Sequence, residues 1–200
     1  PMLGNYGIPR GERQAFRVYA RGVVAKGIWS GPVEEDRQPL PEFLAQSSCP
    51  TLTDVDTRNL VLHLRDHGTK KGVIAPVPES GLTIALIDSL ATEASRFNAK
   101  GLVSEIAPRE VAWLGPLSGA SREARGRGSG VIVDFGANSG IKQSLLGLGF
   151  QLALVPPATP AEDILAMNPD FVLFSSGPGD PDDNEAAIEA AREILGKTPV

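Results

Sequence analysis

The sequence predicts a mixed α/β protein with two domains joined by a glycine-rich linker. After residue 130, apolar stretches alternate with helical patterns, which predicts a doubly wound parallel α/β sheet with right-handed crossovers. Before residue 115, strand and helix patterns follow one another less regularly and indicate an α+β arrangement. Residues 115–130 hold five glycines, three serines and three arginines without apolar periodicity, as is typical of a flexible linker. We therefore expect domains over 1–115 and 131–200, with a linker over 116–130.

The first domain is predicted to contain three strands and three helices. The strands are expected at 17–26, 72–75 and 102–106, and the helices at 39–46, 56–67 and 84–97. Asp56 can cap the second helix, because its side chain can accept a hydrogen bond from a free N–H of the first turn. Leu60, Val61 and Leu64 then share one face of that helix.

The second domain is predicted to repeat a strand–helix unit three times. The strands are expected at 131–135, 151–155 and 171–174, and the helices at 141–148, from 159 onward and at 185–195. Thr159, Pro160 and Glu162 form a cap, a first-turn proline and a capping-box glutamate for the middle helix. The residues expected to face inward on the last helix are Ala187, Ile188, Ala191 and Leu195. Pro199 and Val200 would begin a fourth strand.

Composition and charge limit the location and the partners that we expect for this chain. The mean hydropathy is −0.05, and no apolar run approaches the roughly 20 residues needed to span a bilayer. The single cysteine, Cys49, cannot form an internal disulfide, which favours a reducing, cytoplasmic location. Residues 131–200 carry ten acidic and three basic residues, and this charge argues against a nucleic-acid partner. We expect neither nucleic acid nor membrane as a partner.

The most informative segment is 175–181, which reads Ser-Ser-Gly-Pro-Gly-Asp-Pro. It follows a predicted buried strand and precedes a predicted helix. Glycines at 177 and 179 permit a tight turn whose bare N–H groups could hold a carboxylate, a phosphate or a developing oxyanion. From spacing alone, an ordinary strand-to-helix turn is an equally good interpretation.

Five segments together extend this interpretation. Residues 175–181 resemble the NGPGDP turn of the class I glutamine amidotransferases. Four further segments resemble motifs of the small-subunit family of carbamoyl phosphate synthase: 4–7 (GNYG), 54–68 (DVDTR…LRDHG), 134–136 (DFG) and 161–170 (AEDIL…NPD). They occur in the family's order over nearly the whole chain.

The resemblance implies a layered β/β/α first domain followed by the first half of a class I glutamine amidotransferase domain. It implies a subunit that hydrolyses glutamine and supplies ammonia to a large synthetase subunit for carbamoyl phosphate synthesis, in pyrimidine and arginine biosynthesis. ATP and Mg²⁺ would bind to that partner, and no cofactor is expected in this chain. Of the family's site residues, Gly177 and Gly179 carry over as contacts to the substrate L-glutamine, with the Gly177 N–H helping to hold the oxyanion.

The family's catalytic cysteine, histidine and glutamate have no counterpart in these 200 residues, so we expect them beyond Val200. Because Pro1 falls within a family motif, we interpret the chain as a fragment truncated at both ends and expect it to be inactive alone. Two departures stand out. Ser176 replaces the usual asparagine, and residues 138–140 replace a Lys-x-Asn pattern. The alternatives are another class I amidotransferase or a degenerate, non-enzymatic interaction module.

Two other motifs are too incomplete to predict a metal site or a dinucleotide-binding site. His63 and His67 stand four residues apart, but Leu64 occupies the glutamate position of HExxH and no third ligand is evident, so no metal site is expected. Residues 136–140 lack the GxGxxG spacing of a dinucleotide-binding turn.

Overall fold

The structure is a computed structural model that describes residues 3–11, 17–99, 101–115 and 127–200. The chain divides into two compact units, Pro1–Phe97 and Asn98–Val200. Among the described residues, none of the helices combines the length and apolar character needed to cross a bilayer.

Within its described residues, the first unit contains short strands and three helices. In chain order these are β1 (Ile8–Pro9), β2 (Val23–Val24), β3 (Arg37–Gln38), α1 (Leu40–Gln46), β4 (Thr51–Leu52), α2 (Thr57–His67) and α3 (Ile84–Arg96). β1 pairs antiparallel with β3, and β2 pairs parallel with β4. Among its described residues, the buried hydrophobic cluster is small and contains Leu40, Leu44 and Cys49, and Ala25 is buried as well. No residue of α2 or α3 is buried.

In the second unit, the described residues form a four-stranded sheet flanked by helices. Its elements are α4 (Leu102–Ile106), β5 (Ala112–Leu114), β6 (Gly128–Val133), α5 (Ser139–Gly147), β7 (Phe150–Val155), α6 (Ala161–Ala166), β8 (Phe171–Phe174), a 3-10 turn (Pro181–Asp183) and α7 (Glu185–Ile194). The strand order is β5-β7-β6-β8, in which β7, β6 and β8 run parallel and β5 runs antiparallel to β7.

Alternating strand residues give this sheet two apolar faces. Val131, Val133 and Val172 share one buried cluster with residues of α6 and α7. Ile132 and Leu152 belong to a second cluster, against which Leu145 and Leu146 of α5 pack, so helices cover both faces. The predicted parallel sheet is confirmed, and it places the ends of β6 and β8 side by side.

Most predicted elements of the second unit are present, with shifted ends. Helix α6 begins differently from the prediction, because Pro160 rather than Thr159 is the N-cap and no side chain caps the helix. The Thr159 hydroxyl instead donates to the Pro156 carbonyl at 2.7 Å. On α7 the prediction was wrong at its last position: Ile194 is fully buried, whereas Leu195 is 62% exposed.

Three predicted strands of the first domain differ from the structure. Only Val23 and Val24 of the segment 17–26 form a strand, and 72–75 forms none. Leu102–Ile106 is a helix that follows Gly101 (φ 93°), and the prediction was wrong because a short apolar run fits a helix as well as a strand.

The division between units lies earlier than the expected domain boundary. Residues 98–115 group with the second unit, because β5 pairs with β7 and extends the sheet. Residues 116–126 of the expected linker lie outside the described part of the chain, and its last three residues open β6. A linker over the remainder of 116–130 stays a prediction.

Candidate active site

The candidate site lies at the carboxyl end of the parallel sheet. Phe174, the last residue of β8, pairs in register with Val133, the last residue of β6. The segments that follow, 134–137 and 175–179, are therefore neighbours. In open parallel sheets, ligands bind in the crevice outside the carboxyl ends of the strands.

Gly177 is fixed by its contact with the loop after β6. A Cβ at Gly177 would overlap the Cβ of Phe135 and lie 2.5 Å from the Phe135 carbonyl oxygen. Every other residue type carries a Cβ, so only glycine allows these two backbones to approach so closely. The requirement for glycine here is steric.

Gly179 is required for a different reason. Its φ of +86° lies in the left-handed region, where a side chain is strained, although a Cβ would meet only the Ala99 carbonyl oxygen at 3.7 Å. Asp180 then caps the following turn, since its Oδ1 accepts a hydrogen bond from the Asp182 N–H at 3.1 Å. Gly179 and the Asp180 cap thus turn the chain between β8 and α7.

A cavity of about 420 Å³ opens beside this turn. It is bordered by the ends of β6 and β8, by the turn itself and by one face of α7; its lining includes Phe135, Phe174, Gly177, Gly179, Asn184 and Ile188. Within the described part of the chain, the N–H groups of Gly177 and Gly179 have no hydrogen-bond acceptor. Unpaired backbone donors beside a cavity are the groups that an oxyanion site needs.

Ser175 connects the two segments. Its Oγ accepts a hydrogen bond from the Phe135 N–H at 2.9 Å and donates to the Ser176 carbonyl at 3.0 Å. Sequence analysis placed Ser175 and Phe135 in two separate motifs but did not predict their contact, because it joins residues forty positions apart. A small hydroxyl residue directly after a buried strand was the available clue.

The remaining candidate residues lie in the first unit. The Cys49 thiol is buried and donates to the Ala20 carbonyl at 3.4 Å, as a structural thiol does. His63 and His67 stack on α2 with ring centroids 4.3 Å apart. The residues described by the structure contain no group of three or more metal-ligating side chains.

Comparison with protein families gives two matches along the chain. Residues 1–74 match the CPSase domain of the carbamoyl-phosphate synthase small chain, and residues 131–200 match the class I glutamine amidotransferases. The chain is a relative of the carbamoyl phosphate synthase small chains. The second match contains the β6 and β8 loops, the cavity lining and both glycines of the turn.

Individual carbamoyl phosphate synthase small chains match the chain over its full length or nearly so. Those of Syntrophotalea carbinolica and Symbiobacterium thermophilum are 35% and 32% identical to it, over 100% and 98% of this chain and 54% and 52% of their own. The small chain of Bacillus caldolyticus is 32% identical over 100% of this chain and 51% of its own. The chain therefore spans about half the length of the curated relatives it matches. The family resemblance inferred from the sequence motifs is confirmed.

Proposed function

We propose that this chain is part of the glutamine-hydrolysing subunit of carbamoyl phosphate synthase and that the 175–179 turn binds the substrate glutamine. Gly177 and Gly179 are the binding residues, and the Gly177 N–H stabilises the oxyanion formed when a nucleophile attacks the side-chain amide. The observation that carries this proposal is the pair of N–H groups beside the cavity that have no acceptor among the described residues, within the segment that matches the amidotransferase family.

The nucleophile, its base and the residue that orients the base lie outside these 200 residues in this proposal. Cys49 is buried in the first unit, and the chain's other candidate groups, His63 and His67, stand on α2. The amidotransferase domain would be a doubly wound sheet that continues beside β8, and the first domain a layered β/β/α structure. In support, the Pro199 carbonyl accepts a hydrogen bond from the Val172 N–H of β8 at 2.8 Å.

The proposal includes a partner and a place in metabolism. A large synthetase subunit would receive the ammonia and combine it with bicarbonate, using ATP and Mg²⁺ that it binds itself. The product would enter pyrimidine and arginine biosynthesis, in the cytoplasm. No cofactor is assigned to this chain.

The first experiment measures the 200-residue chain alone. Without a triad nucleophile we expect no release of ammonia from glutamine above a buffer blank, because loss of a nucleophile lowers turnover by orders of magnitude. Ammonia release that Gly179→Val abolishes would contradict this expectation and place a nucleophile within the chain.

The second experiment uses the natural protein assembled with its large subunit. Loss of one oxyanion donor costs about 10²–10³ in rate, so Gly177→Val and Gly179→Val should reduce glutamine-driven synthesis by that order. Synthesis from free ammonium should stay within about twofold, since it bypasses this site. Gly177→Val also overlaps Phe135, and Gly179→Val strains a left-handed backbone, so the ammonium-driven rate reports whether each variant still folds and assembles.

Gly147→Ala is the matched control, since a Cβ there meets nothing within 4 Å. It should leave both activities unchanged. If the Gly179 variant keeps its glutamine-driven rate, the turn is structural only. If the wild type uses ammonium but never glutamine, the non-enzymatic alternative is favoured.

A further inference from the structure

We propose that Asp134 and Lys142 are positioning residues. Through the loop 134–137 they hold the 175–179 turn, which contains Gly177, in place. The effect on the turn follows from the geometry of the second unit. The consequence for glutamine hydrolysis rests on the proposed function, and the two are tested separately.

Asp134 is the best-connected polar side chain at this edge of the sheet. It follows β6 and is buried, with 3% of the residue exposed. Its Oδ1 accepts hydrogen bonds from the N–H groups of Gly136 at 2.8 Å and Ala137 at 2.7 Å. Its Oδ2 lies 3.3 Å from the Lys142 Nζ, one turn into α5. One carboxylate therefore fixes the whole loop between β6 and α5.

Phe135 transmits this arrangement to the turn. Its N–H donates to Ser175 Oγ, and its carbonyl and Cβ occupy the space that a side chain at Gly177 would need. Asp134 holds the loop 134–137 on one side, and Phe135 of that loop contacts Gly177 on the other. Gly177 therefore has little room to move. A shift of the 134–137 loop must therefore move the Gly177 N–H.

The charge of Lys142 helps to hold the loop 134–137. Its side chain is only 22% exposed and that of Asp134 5%, so the pair is shielded from water. Removing one member of a buried pair leaves the other charge uncompensated, and the loop around it relaxes. Residues 131–200 offer only two other cations, Arg192 and Lys197, and both are exposed.

Lys142→Met keeps the aliphatic stem and removes the charge, whereas Lys142→Arg restores a cation. Lys197→Met removes an exposed cation from the same unit and is the control. In ¹H–¹⁵N spectra of the chain, we expect Lys142→Met to shift the Gly177 resonance and to raise amide exchange at Phe135 and Ala137 about tenfold over the control. Exchange at Ala153, a buried residue in the middle of β7, reports whether the unit remains folded.

Lys142→Arg should return the Gly177 resonance and the exchange rates toward the wild-type values. An unchanged Gly177 resonance in a folded Lys142→Met protein would overturn the proposal. If Lys142→Met does not fold, Asp134→Asn provides the same test, because its carbonyl can still accept the two N–H bonds while the charge is lost. It should shift Gly177 in the same way, and an unchanged resonance would again overturn the proposal.

The catalytic consequence is measured in the natural protein with its large subunit. Lys142→Met should lower kcat for glutamine-driven synthesis about tenfold and leave ammonium-driven synthesis unchanged. A wild type that uses glutamine but is insensitive to this substitution overturns the positioning role and leaves the proposed function standing. A Gly177 resonance that shifts in a protein that never hydrolyses glutamine supports the positioning role and overturns the proposed function.

Discussion

The backbone N–H of Phe135 donates a hydrogen bond of 2.9 Å to the side-chain oxygen of Ser175, and this bond joins the loops that follow two adjacent parallel strands. Main-chain pairing between β6 and β8 continues to the Ser175 N–H, which donates to the Val133 carbonyl at 3.1 Å. The Phe135 bond continues the connection past the end of the sheet. It keeps the loop after β6 against the turn that contains Gly177.

Ser175→Ala should destabilise the second unit by about 1–3 kcal/mol, because it leaves the half-buried Phe135 N–H without its acceptor. Urea titration followed by a probe in that unit measures the change. Ser176→Ala is the control, since Ser176 is exposed and its hydroxyl has no hydrogen bond within the described residues. It should cost less than about 0.5 kcal/mol. Equal costs for both variants would show that the Phe135–Ser175 bond contributes nothing.

Alanine at two glycines should have opposite effects on stability. Gly177→Ala places a Cβ into the Phe135 backbone and should destabilise by at least about 2 kcal/mol. Gly147→Ala occurs in a helix with open space and should stabilise by about 0.5 kcal/mol through higher helix propensity. Thermal unfolding compares the two. A neutral Gly177→Ala would mean that Phe135 is free to move away.

Neighbouring residues at the end of α7 should differ sharply in their contribution to the core. Ile194 is fully buried and Leu195 is 62% exposed. Ile194→Ala should cost about 2–5 kcal/mol, since it removes buried methylene groups and leaves a cavity. Leu195→Ala should cost less than about 0.5 kcal/mol. Chemical denaturation of both variants checks this, and the reverse order would restore the inward-facing Leu195 that the sequence pattern suggested.

Amide exchange should be much faster in α2 and α3 than in β6 and β7. Neither helix contains a buried residue, whereas five of six residues in each strand are buried. Opening a helix without buried contacts costs little free energy, so its amides exchange through local fluctuations. Mass spectrometry of peptic fragments over time measures the difference. Comparable protection of α2 and β7 would indicate a stabilising contact that the residue burial does not show.

Sequence patterns predicted the helices and strands that are determined by residues close together in the chain. The strands β7 and β8 were found because strand-length apolar runs identify them, and the helices α1, α2 and α3 were found from their helical patterns, with Asp56 as the cap of α2. Strand β5 was missed, since Ala112–Leu114 is too short to show alternation and is a strand only because β7 accepts it. Helix α4 was predicted as a strand for the related reason that five residues, Leu102–Ile106, show no clear period.

At the candidate site, sequence analysis identified the two glycines of the turn but not the residues that support them. Gly177 and Gly179 are evident because glycine has few reasons to recur at such spacing. The distinction between a steric requirement at 177 and a conformational one at 179 depends on Phe135 and on a φ angle, which require coordinates. The Asp134–Lys142 pair spans eight residues across a loop and a helix turn, so no periodicity indicates it.

The antiparallel strand β5 covers one edge of the sheet and leaves β8 as the edge at which further strands can pair. It occupies the outer edge of β7 with only three residues, and such a short edge strand is a poor template for another chain. The opposite edge, β8, already receives the Pro199 carbonyl at Val172. Additional strands, whether from a longer polypeptide or from a misassembled neighbour, will therefore add at β8, directly beside the Gly177 turn. The free edge of the sheet and the candidate site therefore share one border, and we expect a variant that alters pairing at β8 to disturb the 175–179 turn as well.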